Sequence, residues 1–274
     1  MHGDDIRSGK EYEMYHSTWR STLRYPALHA HDFYEFYLFL QGEATYIIED
    51  YARVLSPGDL IIVPPGRLHR AAFDNLDRPY ERLLAYVSTD ALRSIALPGF
   101  SAVEQLDHLA RGRQYCQPLS PGEVDGWRQV FRDAETDGDD PARRLITRYQ
   151  LFALIARLCA RRPGEQSLPA SGGMAAVVSY INEHFCEDVT LEQLSQRFYL
   201  TPAHLSHQFR RYAHLSVHQY ITAKRMLLAR VLLTQGVAPQ EAGSRCGYQD
   251  YSSFYRAFVK TEGVSPRQYI DLNT

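Results

Sequence analysis

The stretch APQEAGSRCGYQDYSSFYRAFVK, residues 238–260, decides how the second half of the chain folds. Gly247 can supply the turn that ends a first short helix, and Asp250 is a good N-cap for the helix that follows. Phe254 and Phe258 lie four residues apart, so they share the inward face of this second helix. The pattern predicts two short helices joined by a tight turn, which is a helix-turn-helix motif.

The same pattern occurs earlier, in VTLEQLSQRFYLTPAHLSHQFRRY, residues 189–212. Thr201 is the N-cap of its second helix, and the apolar residues Leu205 and Phe209 are again four apart. An amphipathic helix over residues 217–235 joins the two motifs. One such motif is weak evidence, because many helical hairpins resemble it. Two in tandem indicate a DNA-binding unit in which each second helix enters the major groove.

Every segment after residue 173 is predicted to be helical. The predicted helices lie near residues 174–185, 190–197, 202–212, 217–234, 239–246, 251–261 and 266–272.

From residue 174 to residue 272 the chain resembles the AraC/XylS family of transcription regulators. The resemblance runs through LTPAHLSHQF, YITAKRMLLARVLL and CGYQDYSSFYRAFVKTEGVSPRQYI. The last segment matches the family signature at Gly247, Tyr248, Phe254, Arg256, Phe258, Gly263, Ser265, Pro266 and Tyr269. The resemblance implies that the joining helix holds two reading helices, the second helix of each motif, about one DNA turn, roughly 34 Å, apart.

The resemblance also assigns base-facing positions on both reading helices. They are Ala203, His204, Ser206 and His207 in the first helix, and Tyr251, Ser252, Ser253 and Arg256 in the second. A bidentate contact from Arg256 to guanine is one expected interaction. The residues expected at phosphates, which position the protein without specifying sequence, are Arg210, Arg211, Lys224 and Lys260. For each single polar residue, an ordinary solvated helix face remains the alternative.

The charge of the chain is unevenly distributed. The formal net charge is −2, but the residues from Met174 onward include ten Lys or Arg against eight Asp or Glu. This mildly basic tail permits nucleic-acid binding without requiring it. The first ten residues lack the apolar core of a signal peptide, and no segment approaches the roughly 20 apolar residues of a membrane span. The four cysteines are far apart and suit reduced thiols, so we expect a cytoplasmic protein with no membrane partner.

The first half of the chain has a different pattern. The short segments EFYLFL, ATYIIED, DLIIVP and YERLLAYVS are separated by QG, SPG and PPG turns, which predicts a β-sandwich or barrel between residues 15 and 90. Residues 90–162 are predicted to be helical, with a capping box at Ser120 and a helix that begins at Pro141. That last helix is apolar on more than one face, so one face is expected to meet a second subunit unless both are buried within its own domain.

The domain boundaries follow from composition. The stretch RRPGEQSLPASGG, residues 161–173, is rich in Pro, Gly and Ser and predicts a linker. We therefore expect a first domain over residues 1–162, a linker over 163–173 and a DNA-binding domain over 174–274. The predicted fold class is α+β: a cupin-like β-barrel with helices, followed by an all-α domain with two helix-turn-helix motifs.

The stretch HAHDFYEFYLFLQG, residues 29–42, carries histidines and an acid on one predicted strand. Residues of equal parity share one face of a strand, and here they are His29, His31, Phe33, Glu35, Tyr37 and Phe39. This half of the chain resembles the cupin-type barrel that many AraC-type regulators use as an effector domain. The two motifs of that barrel are matched by His29-x-His31-x3-Glu35-x6-Gly42 and by Gly58-x5-Pro64-x-Gly66-x2-His69, with Phe73 in place of a final Asn.

Three interpretations of this cluster remain open. His29, His31, Glu35 and His69 could hold a transition metal, as residues at these positions do in metal-binding cupins. Alternatively, they could form the polar rim of a site for a small organic ligand, with Tyr37 and Phe39 stacking on it. In the third interpretation the histidines and Glu35 only pair with each other inside the barrel.

The sequence thus predicts a transcription regulator, not an enzyme, that binds double-stranded DNA and responds to a small effector, for example a sugar. A homodimer is expected, and RNA polymerase is a candidate further partner. The alternative is a metal-dependent cupin enzyme with a helical appendage.

Overall fold

The computed structural model describes residues 11–19, 28–73, 79–138, 140–161, 173–213 and 215–273. The chain divides into two compact units, residues 1–170 and residues 171–274. The predicted linker, residues 163–173, lies outside the described residues except for its last position. No helix in the described ranges combines the length and apolarity needed to cross a membrane.

The described part of the first unit contains two antiparallel sheets. Their strands are β1 (Tyr12–Trp19), β2 (Tyr34–Gln41), β3 (Ala44–Ile48), β4 (Tyr51–Val54), β5 (Asp59–Val63), β6 (His69–Phe73), β7 (Tyr80–Val87) and β8 (Cys116–Pro118). One sheet has the order β1-β7-β2-β5-β8 and the other the order β4-β3-β6. All of these pairings are antiparallel.

Strand β2 is buried on both faces, which explains its almost uninterrupted apolar sequence. Tyr37 and Phe39 point between the two sheets, where they pack with residues of β3, β5, β6 and β7. Phe36 and Leu38 point the other way, into a second core beneath the helices. The predicted alternation of β2 is therefore confirmed.

Four helices cover the outer face of the larger sheet. They are α1 (Thr89–Arg93), α2 (Ala102–Arg111), α3 (Pro121–Thr136) and α4 (Pro141–Cys159). Trp127 of α3 and Phe152 of α4 are buried against Phe36 and its neighbours. The capping box of α3 is present. The backbone N–H of Ser120 donates to the Glu123 carboxylate at 2.8 Å, and the Ser120 hydroxyl donates to the same carboxylate at 2.6 Å.

One part of the sequence prediction for this unit was wrong. Residues 90–162 are not uniformly helical, because β8 lies within them and pairs with β5. A strand of three residues is too short to show a periodic pattern in the sequence. The extended conformation of β8 is set by its pairing with β5. Strands β1, β4 and β6 also lay outside the four segments predicted as strands.

The second unit is helical throughout its described residues. Its helices are α5 (Met174–His184), α6 (Leu191–Arg197), α7 (Pro202–Ala213), α8 (Val217–Thr234), α9 (Pro239–Arg245), α10 (Tyr251–Glu262) and α11 (Pro266–Asn273). Each predicted helix is confirmed to within a residue at either end. The N-caps are local signals: the Thr190 hydroxyl accepts from Gln193 N at 3.2 Å, and Asp250 accepts from Ser253 N at 2.8 Å.

The two helix-turn-helix motifs are α6–α7 and α9–α10, and α8 joins them. Leu205 and Phe209 of α7 are fully buried, as are Phe254 and Phe258 of α10. The four-residue spacing of these apolar side chains fixes which face of each second helix is left for solvent.

Candidate functional site

The interior of the barrel brings four potential ligands together. His29, His31, Glu35 and His69 each offer one donor atom, and these atoms all lie within 4.8 Å of one another. His29 and His69 are joined by a pair of backbone hydrogen bonds, at 3.1 and 2.8 Å. This pairing places the second cupin-like motif, which ends at His69, beside the first, which begins at His29. The predicted convergence of these residues is therefore observed in the structure.

The ring orientations of two histidines are fixed by backbone carbonyls. His31 Nδ1 lies 3.0 Å from Phe33 O, and His69 Nδ1 lies 2.8 Å from Arg67 O. A carbonyl oxygen can only accept, so both Nδ1 atoms carry the hydrogen. The two Nε2 atoms consequently face Glu35 Oε2, at 3.2 Å from His31 and 3.3 Å from His69.

Glu35 has a second partner on its other oxygen. The hydroxyl of Tyr46, on the facing strand β3, donates to Glu35 Oε1. Burial alone would raise the pKa of Glu35, but His69 and His31 outweigh it and hold that pKa well below its ordinary value. Burial, and then the negative charge of Glu35, raise the pKa of Tyr46, so the phenol keeps its proton.

The two aromatic residues predicted to stack on a ligand lie deeper in the core. Tyr37 and Phe39 have no solvent exposure. The Tyr37 ring centre is 4.7 Å from that of Tyr46, and its hydroxyl pairs with that of Tyr80. Arg82 places its guanidinium 5.3 Å from the centre of the Tyr37 ring. Tyr37 thus borders the cluster, whereas Phe39 packs with Tyr80 at 5.9 Å between ring centres.

Sequence reasoning missed Tyr46 and Arg82. The alternation of ATYIIED could have placed Tyr46 inward with Ala44 and Ile48, its neighbours on the same face of β3. Its pairing with Glu35 depends on how the two sheets face each other, which strand periodicity does not specify.

The reading helices expose most of the residues predicted to face DNA bases. On α7 the exposed residues are Ala203, His204, His207, Arg210 and Arg211, with Ser206 half-buried. On α10 they are Tyr251, Ser252 and Arg256, with Ser253 half-buried. The Arg256 guanidinium lies 3.4 Å from the Ser253 hydroxyl, which is a long contact for a hydrogen bond.

Tyr255 was missed on the second reading helix. Counted from the N-caps Thr201 and Asp250, it occupies the position of Ser206, and it is 41% exposed. Counting residues from each N-cap would have identified Tyr255 from the sequence.

The prediction that Lys224 contacts a phosphate is wrong. Its side chain is buried, at 9% exposure, and its ammonium lies 5.6 Å from the centre of the Phe185 ring. Lys224 lies on the inner face of α8, where it stabilises the helical unit by a cation–π contact instead of facing solvent.

Two family models match the chain. The model described as AraC-like ligand binding domain matches residues 11–123, and the model described as Helix-turn-helix domain matches residues 194–271. The first range contains the histidine and glutamate cluster, and the second contains both reading helices.

Several known proteins are similar to the chain. The HTH-type transcriptional regulator YijO of Escherichia coli (strain K12), described as uncharacterized, is 26% identical over 87% of this chain and 81% of that protein. The HTH-type transcriptional activator RhaS of Citrobacter koseri is 23% identical over 87% of this chain and 85% of that protein. The C-terminal domain of AraT, a response regulator from Geobacillus stearothermophilus, is 33% identical over 35% of this chain and 82% of that structure, with a TM-score of 0.34.

Proposed function

This chain belongs to the AraC family of transcription regulators, with a ligand-binding domain before a DNA-binding helix-turn-helix domain, and from that premise we propose which residues perform each task. The observation that carries the proposal is the exposure of polar side chains on α7 and α10, whose apolar faces are fully buried.

The two reading helices supply the contacts to DNA. His204 and His207 lie on the face of α7 that can reach base edges, and Tyr255 and Arg256 do so on α10. The other residues proposed to face the bases are Ala203, Ser206, Tyr251, Ser252 and Ser253.

Exposed cations at the ends of the reading helices contact the DNA backbone. Arg210 and Arg211 lie in the last turn of α7, and Lys260 lies in the last turn of α10. Their positive charges attract phosphates and position the protein without reading sequence.

The barrel interior is the effector site. His29, His31, Glu35 and His69 form a polar centre inside an otherwise aromatic core that includes Tyr37 and Phe39. An effector bound there changes promoter occupancy only through unequal affinity for two arrangements of the protein.

A homodimer through α4 completes the proposal. Leu145, Ile146 and Tyr149 are 51%, 58% and 58% exposed on this helix, whereas Phe152 and Cys159 are buried in the core of the unit. Exposed apolar side chains on a helix favour association with a second copy. The regulator acts in the cytoplasm, without enzymatic activity, and meets RNA polymerase at its promoter.

The test measures the affinity of purified full-length protein for the intergenic DNA beside its gene. Fluorescence anisotropy is the readout. Arg256→Ala should weaken binding by about 10- to 100-fold, as expected for loss of a bidentate base contact. The matched control is Arg132→Ala, which removes an exposed arginine of α3 in the other unit and should leave affinity unchanged.

Two outcomes contradict the proposal. Equal affinity of wild type and Arg256→Ala would reject the base contact. No binding of the wild type to any promoter fragment would reject the DNA-binding function and favour the cupin enzyme.

A further inference from the structure

The exposed face of the second reading helix carries two tyrosines. Tyr251 and Tyr255 of α10 are 40% and 41% exposed. They lie four residues apart, so both rings project from one face of the helix, beside the exposed Arg256. Large rings of this kind combine an apolar body with a polar tip and are enriched where proteins contact partners.

The two rings are restrained by each other and by the core beneath them. The ring centres of Tyr251 and Tyr255 are 6.1 Å apart. The ring centre of Tyr251 also lies 6.0 Å from that of Phe254, which is fully buried. Side chains that are restrained before binding lose little conformational freedom on binding, so their contacts contribute more fully to affinity.

The first reading helix has no matching surface. Counted from the N-caps Thr201 and Asp250, Tyr255 corresponds to Ser206, and Tyr251 corresponds to Pro202. Among the positions of α7 proposed to face bases, the apolar side chain is that of Ala203, which offers a single methyl group. The two helices therefore present different chemistry to DNA, and phenol rings at base-facing positions occur on α10 only.

The position of the rings along α10 favours contact with bases over contact with phosphates. Tyr251 is the first residue of the helix and Tyr255 begins its second turn. The N-terminal residues of a reading helix are the ones that contact base edges in the major groove. Lys260, which is proposed to contact phosphate, lies in the last turn instead.

The apolar group on the base edges of the major groove is the 5-methyl group of thymine. Apolar side chains contact this methyl group, whereas the donors and acceptors of the other positions need polar partners. Arg256 is suited to the O6 and N7 atoms of guanine. The adjacent ring of Tyr255 places an apolar surface beside that guanine.

We propose that Tyr251 and Tyr255 read the 5-methyl group of thymine in the half-site bound by the second motif, next to the guanine contacted by Arg256. The inference rests on the proposed DNA-binding function and deepens it, because it names the base feature that the second reading helix selects. Dependence on pyrimidine 5-methyl groups is accordingly much weaker in the half-site bound by the first motif.

The test uses purified full-length protein and synthetic duplexes of the intergenic fragment, with fluorescence anisotropy as the readout. Deoxyuridine replaces thymine at one position at a time, which removes the methyl group and keeps the base pair. Replacement of a contacted thymine should weaken binding about 4-fold, as expected for one buried methyl group. The sensitive thymines should lie in the same half-site as the guanine whose replacement no longer affects Arg256→Ala.

Two variants at each tyrosine separate the ring from its hydroxyl. Tyr255→Phe keeps the ring and should preserve both the affinity and the cost of deoxyuridine. Tyr255→Ser installs the residue that α7 has at the matched position and should weaken binding about 10-fold. In that variant the cost of deoxyuridine at the contacted thymine should disappear, because a double-mutant cycle isolates the direct pair. The same two substitutions at Tyr251 give the contribution of the second ring.

The matched control is Tyr15→Ser. Tyr15 of β1 is 45% exposed, so it is a tyrosine of similar exposure in the other unit. Its loss should change neither the affinity nor the cost of deoxyuridine. Circular dichroism of each variant reports whether the helices are retained. The deoxyuridine series on the wild type needs no variant, so it tests the inference even where a serine variant fails to fold.

The contrary outcomes contradict different claims. Wild-type protein that binds DNA equally well with deoxyuridine at every thymine overturns the methyl contact and leaves the regulator intact. Equal losses in Tyr255→Phe and Tyr255→Ser assign the contact to the hydroxyl, as for a phosphate, and also overturn it. A deoxyuridine cost that persists in both serine variants overturns the assignment to the tyrosines. No binding of the wild type to any fragment overturns the proposed function itself, and the inference falls with it.

Discussion

The two helix-turn-helix motifs use the same turn in different surroundings. In the first, Tyr199 adopts a φ of 54°, and Leu200 N donates to Ser195 O at 3.0 Å. In the second, Gly247 adopts a φ of 83°, and Tyr248 N donates to Gly243 O at 3.1 Å. Both are left-handed helix ends that satisfy the last carbonyls of a short helix.

The space around the two turns differs. The Tyr199 side chain is 95% exposed. A Cβ at Gly247 would overlap the backbone carbonyl of Cys186, which follows α5. Arg225 of α8 holds this same segment by donating to Phe185 O, at 2.7 Å. The first turn therefore depends mainly on backbone dihedrals, whereas the second also depends on a close backbone contact.

Gly247→Ala should break the second motif and has the largest expected effect. The methyl group would overlap the Cys186 backbone and also occupy a left-handed conformation, for a loss of about 3 kcal/mol or more. Hydrogen exchange of the backbone amides of α9 and α10 in the full-length protein measures this loss of stability. Tyr199→Ala, at the matched position of the first motif, should change protection of α6 and α7 little. Equal effects at both turns would contradict the comparison.

Gly243→Ala tests the crossing of α9 and α10 and should have an intermediate effect. The added Cβ would lie 2.9 Å from a ring atom of buried Phe254. Overpacking costs about 1–3 kcal/mol, and alanine recovers about 1 kcal/mol of helix propensity, so a net loss of about 1 kcal/mol is expected. Thermal unfolding followed by circular dichroism measures it. A gain in stability would show that Phe254 moves without cost.

Tyr199→Gly should have the smallest effect, and in the opposite direction. Glycine adopts positive φ without strain, but it gains entropy in the unfolded chain, so a stabilisation of at most about 1 kcal/mol is expected. The same unfolding measurement detects it as a small rise in the midpoint. A clear destabilisation would indicate that the exposed Tyr199 ring makes a contact in the folded protein.

The helical unit could be predicted closely because its signals are local. Caps such as Thr190 and Asp250, and apolar residues four apart, define each helix within its own sequence. The inward face of β2 followed from parity in the same way. Burial of Lys224 and the bond from Tyr46 to Glu35 depend on which elements pack together, and no pattern within one segment carries that information.

The backbone pairing of His29 with His69 links ligand binding to folding. These residues are far apart in the chain and meet through the pair of hydrogen bonds between their backbones. The unfolded chain therefore lacks the site, and any ligand stabilises the folded barrel by mass action, by about 2.7 kcal/mol at 100 times its dissociation constant. The melting temperature of the barrel is thus itself a gauge of how fully the site is occupied.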